Sequence, residues 1–227
     1  MNLKMAPSLM SMDLLDVRKS ITTLNTRADF YHVDILDWHY VKNMCLTPHF
    51  IEAIRPITDV PIEAHLYVDN LEADLVQLCL DAGANIITMP SDIIDRQVYR
   101  LANLIHQQGA SFGVFLNPSQ PISTIAPYGE LLDQLILMNV DPGFSNQKMI
   151  PRAYTRITEA KTLRDTNDWH YQITVDGNCN ENNFEKLAVA GVDAYVLGRG
   201  LFGRNTDLSQ AAEDTYFDLR QIEKRYQ

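Results

Sequence analysis

The chain has 227 residues, 46% hydrophobic and 21% charged, and 29 acidic against 19 basic side chains leave a net charge of −10. That balance argues against a nucleic-acid partner, because binding a phosphate backbone needs a concentrated basic surface, and no apolar run approaches the roughly 20 residues that cross a bilayer. Cys45, Cys79 and Cys179 are odd in number and far apart, which suits neither a disulfide framework nor a zinc knuckle; with residues 1–7 lacking the layout of a secretory signal, reduced thiols in a cytoplasmic protein are expected.

Along the chain, short β-branched or aromatic runs alternate with longer helical patterns. The runs at 5–9, 30–35, 61–66, 86–89, 111–116, 134–138, 171–176 and 194–197 read as strands. Between the third and fourth, Leu71, Leu75, Leu78 and Cys79 recur at helical spacing before a stop at Gly83. Residues 184–190 end in the same way at Gly191. Glycine can take the left-handed conformation that closes a helix. Eight strands separated by helices predict a single α/β unit over residues 1–227, a (β/α)8 TIM barrel. An open doubly wound sheet is the alternative, weakened by the lack of a glycine-rich loop after the first strand.

The second run carries the most chemistry. Alternate strand residues share a face, so His32 and Asp34 point one way while Val33 and Ile35 point the other. His65 stands on the third strand and Asp176 at the end of the seventh. All four lie near C-terminal strand ends, where barrel enzymes place catalysis. Taken singly, a strand histidine reads as a hydrogen-bonded core residue and Asp176 before Gly177 as a turn former. Together the four are ligand-type residues converging on one mouth. His39, His49, His106 and His170 have no partner pattern and read as surface residues. Asp37 faces away from Asp34 and reads as structural. Lys4 and Glu63, both inward and deeper, form a possible buried pair.

Several motifs in order, 6-APSL-9, 32-HVDILD-37, 65-HL-66, 117-NP-118, 138-MNVDPGF-144, 175-VDG-177 and 198-GRGLF-202, resemble the ribulose-phosphate 3-epimerase family and the allied allulose-6-phosphate 3-epimerases. The run at 175–180 is closest to the allulose-phosphate branch, whereas the loop at 198–202 has the shorter form of the ribulose-phosphate branch. The resemblance implies an isomerase, a metal-dependent carbohydrate-phosphate 3-epimerase and homo-oligomer, with a small phosphorylated ketose as partner. It implies that His32, Asp34, His65 and Asp176 bind one divalent ion (zinc, manganese, iron or cobalt) and that Asp34 and Asp176 exchange protons with the substrate. The substrate would lie against Ser8, Met138, Gly143, Phe144, Ser145, Asn146, Gly177, Asn178, Gly198 and Arg199, its phosphate on the loops beginning at Gly143, Gly177 and Gly198. D-allulose 6-phosphate and D-fructose 6-phosphate are favoured over D-ribulose 5-phosphate and D-xylulose 5-phosphate.

The residue types suit that chemistry. The hydrogen beside a ketone is weakly acidic, so the enediolate left by its removal needs a Lewis acid, and inversion needs one proton carrier on each face. Departures cluster in the pocket walls. Ser145 and Asn146 replace two glycines, and Arg199 replaces a small residue. Leu36 and Tyr67 stand where methionines are common, and Trp38 replaces a glycine. Trp38 and Tyr67 are expected to narrow the mouth. Two other readings are a sugar-phosphate decarboxylase or aldol-type synthase, against which stands the absence of lysine in Asp34-Ile35-Leu36-Asp37, and a non-catalytic sugar-phosphate-binding barrel.

Overall fold

The computed structural model describes residues 1–226. Eight strands, β1 (Lys4–Pro7), β2 (Tyr31–Leu36), β3 (Ile62–Tyr67), β4 (Ile86–Pro90), β5 (Ser111–Leu116), β6 (Gln134–Met138), β7 (Gln172–Asp176) and β8 (Ala194–Leu197), form one sheet in the order β1-β8-β7-β6-β5-β4-β3-β2. Every pairing is parallel. A single parallel bridge, Ser8 to His32, joins β1 to β2 and brings the sheet to near closure. The barrel replaces the open-sheet alternative.

Helices α1 (Val17–Leu24), α2 (Pro48–Ile54), α3 (Ala73–Asp81), α4 (Val98–Gln107), α5 (Ala153–Thr166), α6 (Phe184–Ala190) and α8 (Leu208–Arg225) cover the outside, and the single turn α7 (Arg199–Phe202) follows β8 at the mouth of the barrel. Gly83 and Gly191, with φ of 102° and 119°, close α3 and α6 as the sequence predicts. Between β5 and β6 the expected helix is replaced by two short 3-10 turns, Ile122–Ile125 and Gly129–Leu131. Pro121 and Pro127 flank the first of them and remove the donors a longer helix would need.

Alternation along each strand divides the core. On β2, Tyr31, Val33 and Ile35 join Ile21, Leu24 and Ile51 in the large apolar layer between strands and helices. Three buried tyrosines stitch this layer: Tyr31, Tyr171 and Tyr195 donate to the carbonyls of Ile21, Ala160 and Phe184 at 3.0, 2.8 and 2.9 Å. The opposite faces fill the barrel, where Leu36, Tyr67, Phe115, Ile136 and Met138 form a compact layer of their own. No helix among the described residues is long and apolar enough to cross a membrane, and Cys45, Cys79 and Cys179 are free.

Candidate active site at the carboxyl end of the barrel

Strand register assembles the site. His32 pairs with Glu63, Asp34 with His65 and Leu36 with Tyr67 across β2 and β3, while Met138 pairs with Asp176 across β6 and β7. His32, Asp34, His65 and Asp176 each bring one nitrogen or oxygen to within 4.8 Å of the others. His32 Nε2 lies 3.0 Å from His65 Nδ1 and 3.1 Å from Asp34 Oδ1. Asp176 Oδ2 is 3.9 Å from each of the two histidine nitrogens. Both imidazoles are wholly buried, and Asp176 is the least buried of the four.

The next layer down orients this cluster. Glu63 Oε2 lies 2.6 Å from His32 Nδ1, so the proton on that nitrogen points at the carboxylate and Nε2 is left facing Asp34 and His65. Glu63 Oε1 in turn accepts from Thr88 Oγ1 at 2.6 Å and from Gln134 Nε2. Gln134 Oε1 accepts from Gln172 at 3.0 Å and from Thr174 at 3.2 Å. The buried carboxylate is therefore fully satisfied, as burial of a charge demands. The Lys4–Glu63 pair does not form: Lys4 sits at the far end of β1 in register with Ala194, and His32 takes its place.

Electrostatics sharpen the picture. Burial pulls the His32 imidazole down, but the Asp34 and Glu63 charges outweigh it and hold it well above its ordinary value. Burial, then the charge on His32, pushes His65 well below. Burial opposes the Asp34 charge, yet His32 beside it and the Ser8 hydroxyl, 2.9 Å from Oδ2, keep that carboxyl low. Asp176 is raised to about 6, by burial first and by the Asp34 charge, against the pull of His32 and Tyr67. Two carboxylates facing two imidazoles call for a positive charge between them. The five donor pairs that include a histidine are spaced 3.0 to 3.9 Å apart, which brackets the ligand edges of about 3.3–3.6 Å expected for tetrahedral bonds of about 2.0–2.2 Å, and all four donor atoms lie within 4.8 Å. The donor set and its spacing fit a divalent metal ion.

Above the cluster a cavity of about 330 Å³ opens to solvent. Its wall contains Ser8, Met138, Gly143, Phe144, Ser145, Asn146, Gly177, Asn178, Gly198 and Arg199, with Asp34 and Asp176 at its base; all ten residues expected beside the substrate are brought together. Of the Ser145-Asn146 pair it is Asn146 that takes a positive φ, 67°, which asparagine tolerates better than serine. Gly177 has φ 102°, and a Cβ there would meet Val140 at 2.5 Å. A Cβ on Gly200 would overlap the Cys179 carbonyl oxygen, so glycine lets the β7 and β8 loops touch. Arg204 is tied to Asp218 at 2.6 Å; Arg199 is exposed and makes no ion pair among the described residues.

The two residues expected to narrow the mouth differ: Tyr67 lines the cavity and Trp38 does not. Tyr67 reaches across the barrel, its hydroxyl 3.1 Å from Asp176 Oδ2; burial, then the Asp176 charge, holds the phenol well above its ordinary value, so it remains a donor. Trp38, by contrast, is half exposed and lies outside the cavity wall, so it does not narrow the mouth. His39, His49, His106 and His170 are exposed as expected.

A parallel eight-stranded barrel with a histidine–aspartate cluster under a cavity at the strands' carboxyl ends defines the class: an enzyme barrel with a candidate metal centre. The chain belongs to the ribulose-phosphate 3 epimerase family, whose model matches residues 4–202. It is 33% identical over 206 residues to ribulose-phosphate 3-epimerase 2 of Cupriavidus necator, covering 88% of this chain and 85% of that protein. It is 32% identical over 205 residues to the ribulose-phosphate 3-epimerase of Bacillus subtilis, covering 89% and 94%. Among solved structures, 3-hexulose-6-phosphate synthase from Salmonella typhimurium superposes with a TM-score of 0.72 at 15% identity, over 96% of this chain and 99% of that one. The family makes the protein an isomerase, a sugar-phosphate 3-epimerase.

Proposed function

We propose that this protein, acting as one barrel, is a metal-dependent 3-epimerase that interconverts D-allulose 6-phosphate and D-fructose 6-phosphate. The observation that carries the reaction type is the pair Asp34 and Asp176, which reach one histidine pair from separate strands at the base of an open cavity. Inverting a carbon requires a group that removes its proton from one face and another that returns a proton to the opposite face. Asp34 and Asp176 fill these roles and exchange them when the reaction reverses. His32, Asp34, His65 and Asp176 would hold the ion, with zinc, manganese, iron and cobalt all suited to mixed imidazole and carboxylate donors. When bound, the ion supplies a Lewis acid for the ketone oxygen and for the charge left by proton removal.

Ser8 and Met138 flank the sugar, and the loops beginning at Gly143, Gly177 and Gly198 receive the phosphate. Arg199, the cavity-wall arginine without an ion pair, clamps it with forked donors. Leu36 lines the cavity two residues beyond Asp34, where the decarboxylase and synthase reading needs a lysine, so that reading is set aside. The hexulose is favoured by the run at 175–180 and by Trp38 standing clear of the cavity. The pentulose is a second reading, favoured by the short loop at 198–202 and by the names of the relatives.

The test is incubation with each ketose phosphate in deuterated water, followed by NMR for label at the third carbon and by specificity constants, whose ratio measures discrimination. Label at that carbon with a higher constant for D-allulose 6-phosphate supports the full reading. A higher constant for D-ribulose 5-phosphate replaces the substrate and keeps the reaction; no label from either ketose refutes the epimerase.

A further inference from the structure

We infer that Tyr67 is a positioning residue for Asp176: its hydroxyl holds the carboxylate in one rotation, with one oxygen toward the histidine pair and the other open to the cavity. The inference rests on the reading of the site proposed above, and it concerns a side chain that stands outside the four-residue cluster.

The tyrosine ring is held on several sides. It is 3% exposed, with ring centroids of His65 at 4.3 Å, Phe115 at 5.1 Å and Tyr40 at 6.3 Å. A side chain so enclosed places its hydroxyl with little freedom. That hydroxyl has two neighbours: Asp176 Oδ2 at 3.1 Å and the Met138 sulfur at 3.7 Å. A thioether is a weak acceptor and a carboxylate a strong one, so the bond belongs to Asp176.

The oxygen chosen is informative. Asp176 Oδ2 is also the oxygen 3.9 Å from His32 Nε2 and from His65 Nδ1, while Oδ1 has no hydrogen bond among the described residues. Asp34 is arranged the other way. Its Oδ1 faces the histidines, and the Ser8 hydroxyl occupies Oδ2. The terminal torsion of an aspartate is broad, so a free carboxylate swings about it. A donor held against the oxygen nearest the histidines fixes that swing. Oδ2 stays turned to the histidines, and Oδ1 points at the cavity as the oxygen that takes or returns a proton. Partners behind a metal-binding carboxylate commonly change affinity by about 10- to 100-fold.

Tyr67→Phe keeps the ring and its packing and deletes only the donor. Zinc affinity is measured on the full chain by competition with a chelator, without substrate, alongside kcat, KM and the melting temperature. The expected result is an unchanged melting temperature, zinc affinity lowered about 10-fold and kcat lowered at least as much, with KM little altered. Wild-type zinc affinity or wild-type kcat in a folded Tyr67→Phe protein overturns the inference and leaves the epimerase reading standing. If the wild-type protein turns over no ketose phosphate, the epimerase reading fails and zinc affinity alone judges Tyr67. A wild-type chain that binds none of zinc, manganese, iron and cobalt overturns both.

Discussion

Glu63 governs His32 from one layer below the cavity, and the consequence is felt at Asp34 and His65 above. With the Nδ1 proton committed to Glu63, Nε2 is the nitrogen that meets Asp34 and His65. Asp176 then completes the cluster from β7. Replacing it with asparagine preserves size and still accepts the Tyr67 hydroxyl, but leaves a side chain that binds metal poorly and cannot carry the proton. Asp176→Asn should therefore fold normally and lose at least ~10²-fold in kcat; normal turnover in a protein with wild-type circular dichroism contradicts the two-carboxylate mechanism. Strand parity made His32 and Asp34 legible on one face, because a face is fixed by counting in twos, and His65 was legible only by its place near the end of the next strand. Parity could not reveal Glu63's partner. Both Lys4 and Glu63 point inward, and only the register across β2 and β3 decides that His32, not Lys4, stands opposite. Tyr67 was visible as an unusual residue, yet its bond to Asp176 spans 109 positions and depends on how the barrel closes.

At the level of strands and loops, most of the frame could be read in the sequence: residues 111–116, 134–138 and 194–197 were expected as strands and are β5, β6 and β8 to the residue. What went unread is the missing helix between β5 and β6: Pro121 and Pro127 mark it in the sequence, whereas the packing of Trp169 against Gly129 is a tertiary matter. The loop after β2 is pinned by Asp37, as the parity reading allowed. Its Oδ1 accepts the backbone N–H groups of His39 and Tyr40 at 2.8 and 2.9 Å, and Oδ2 accepts that of Asp69 at 2.8 Å. Burial opposes the charge, but these donors together outweigh it and hold the Asp37 carboxyl below its ordinary 3.8. A depressed folded pKa contributes stability that is fully present above the unfolded value and is lost as pH falls through the folded one. Asp37→Ala should cost about 1–2 kcal/mol near neutral pH, and that cost should shrink once the pH drops below 3.8. Urea titrations of both proteins across that range check it: a penalty independent of pH means that the carboxylate charge contributes nothing. In the same loop Trp38 holds φ at 69°, a left-handed backbone conformation that favours glycine.

On the scale of the whole molecule, an ion bound at this site would be coupled to the stability of the barrel. The four cluster residues come from β2, β3 and β7, so an ion held by all of them ties separate strands of the sheet together at its mouth. Anything that binds the folded chain and not the unfolded one stabilises it by mass action: at 100 times the dissociation constant the gain is about 2.7 kcal/mol. For a chain of this length that corresponds to roughly 5–11 °C in melting temperature. The net charge of −10 complicates the measurement, because divalent cations also gather loosely around an acidic surface. His65→Ala separates the two effects. It removes one donor from the cluster without changing the count of acidic or basic side chains, so loose association is untouched while the site loses a ligand. Wild-type protein should melt several degrees higher in the presence of zinc than with a chelator, and elemental analysis should find about one ion per chain. In His65→Ala the increment and the ion should both largely vanish. A mutant that keeps the ion removes His65 from the site, and equal shifts in the two proteins mean that the stabilisation comes from the acidic surface and not from the cluster.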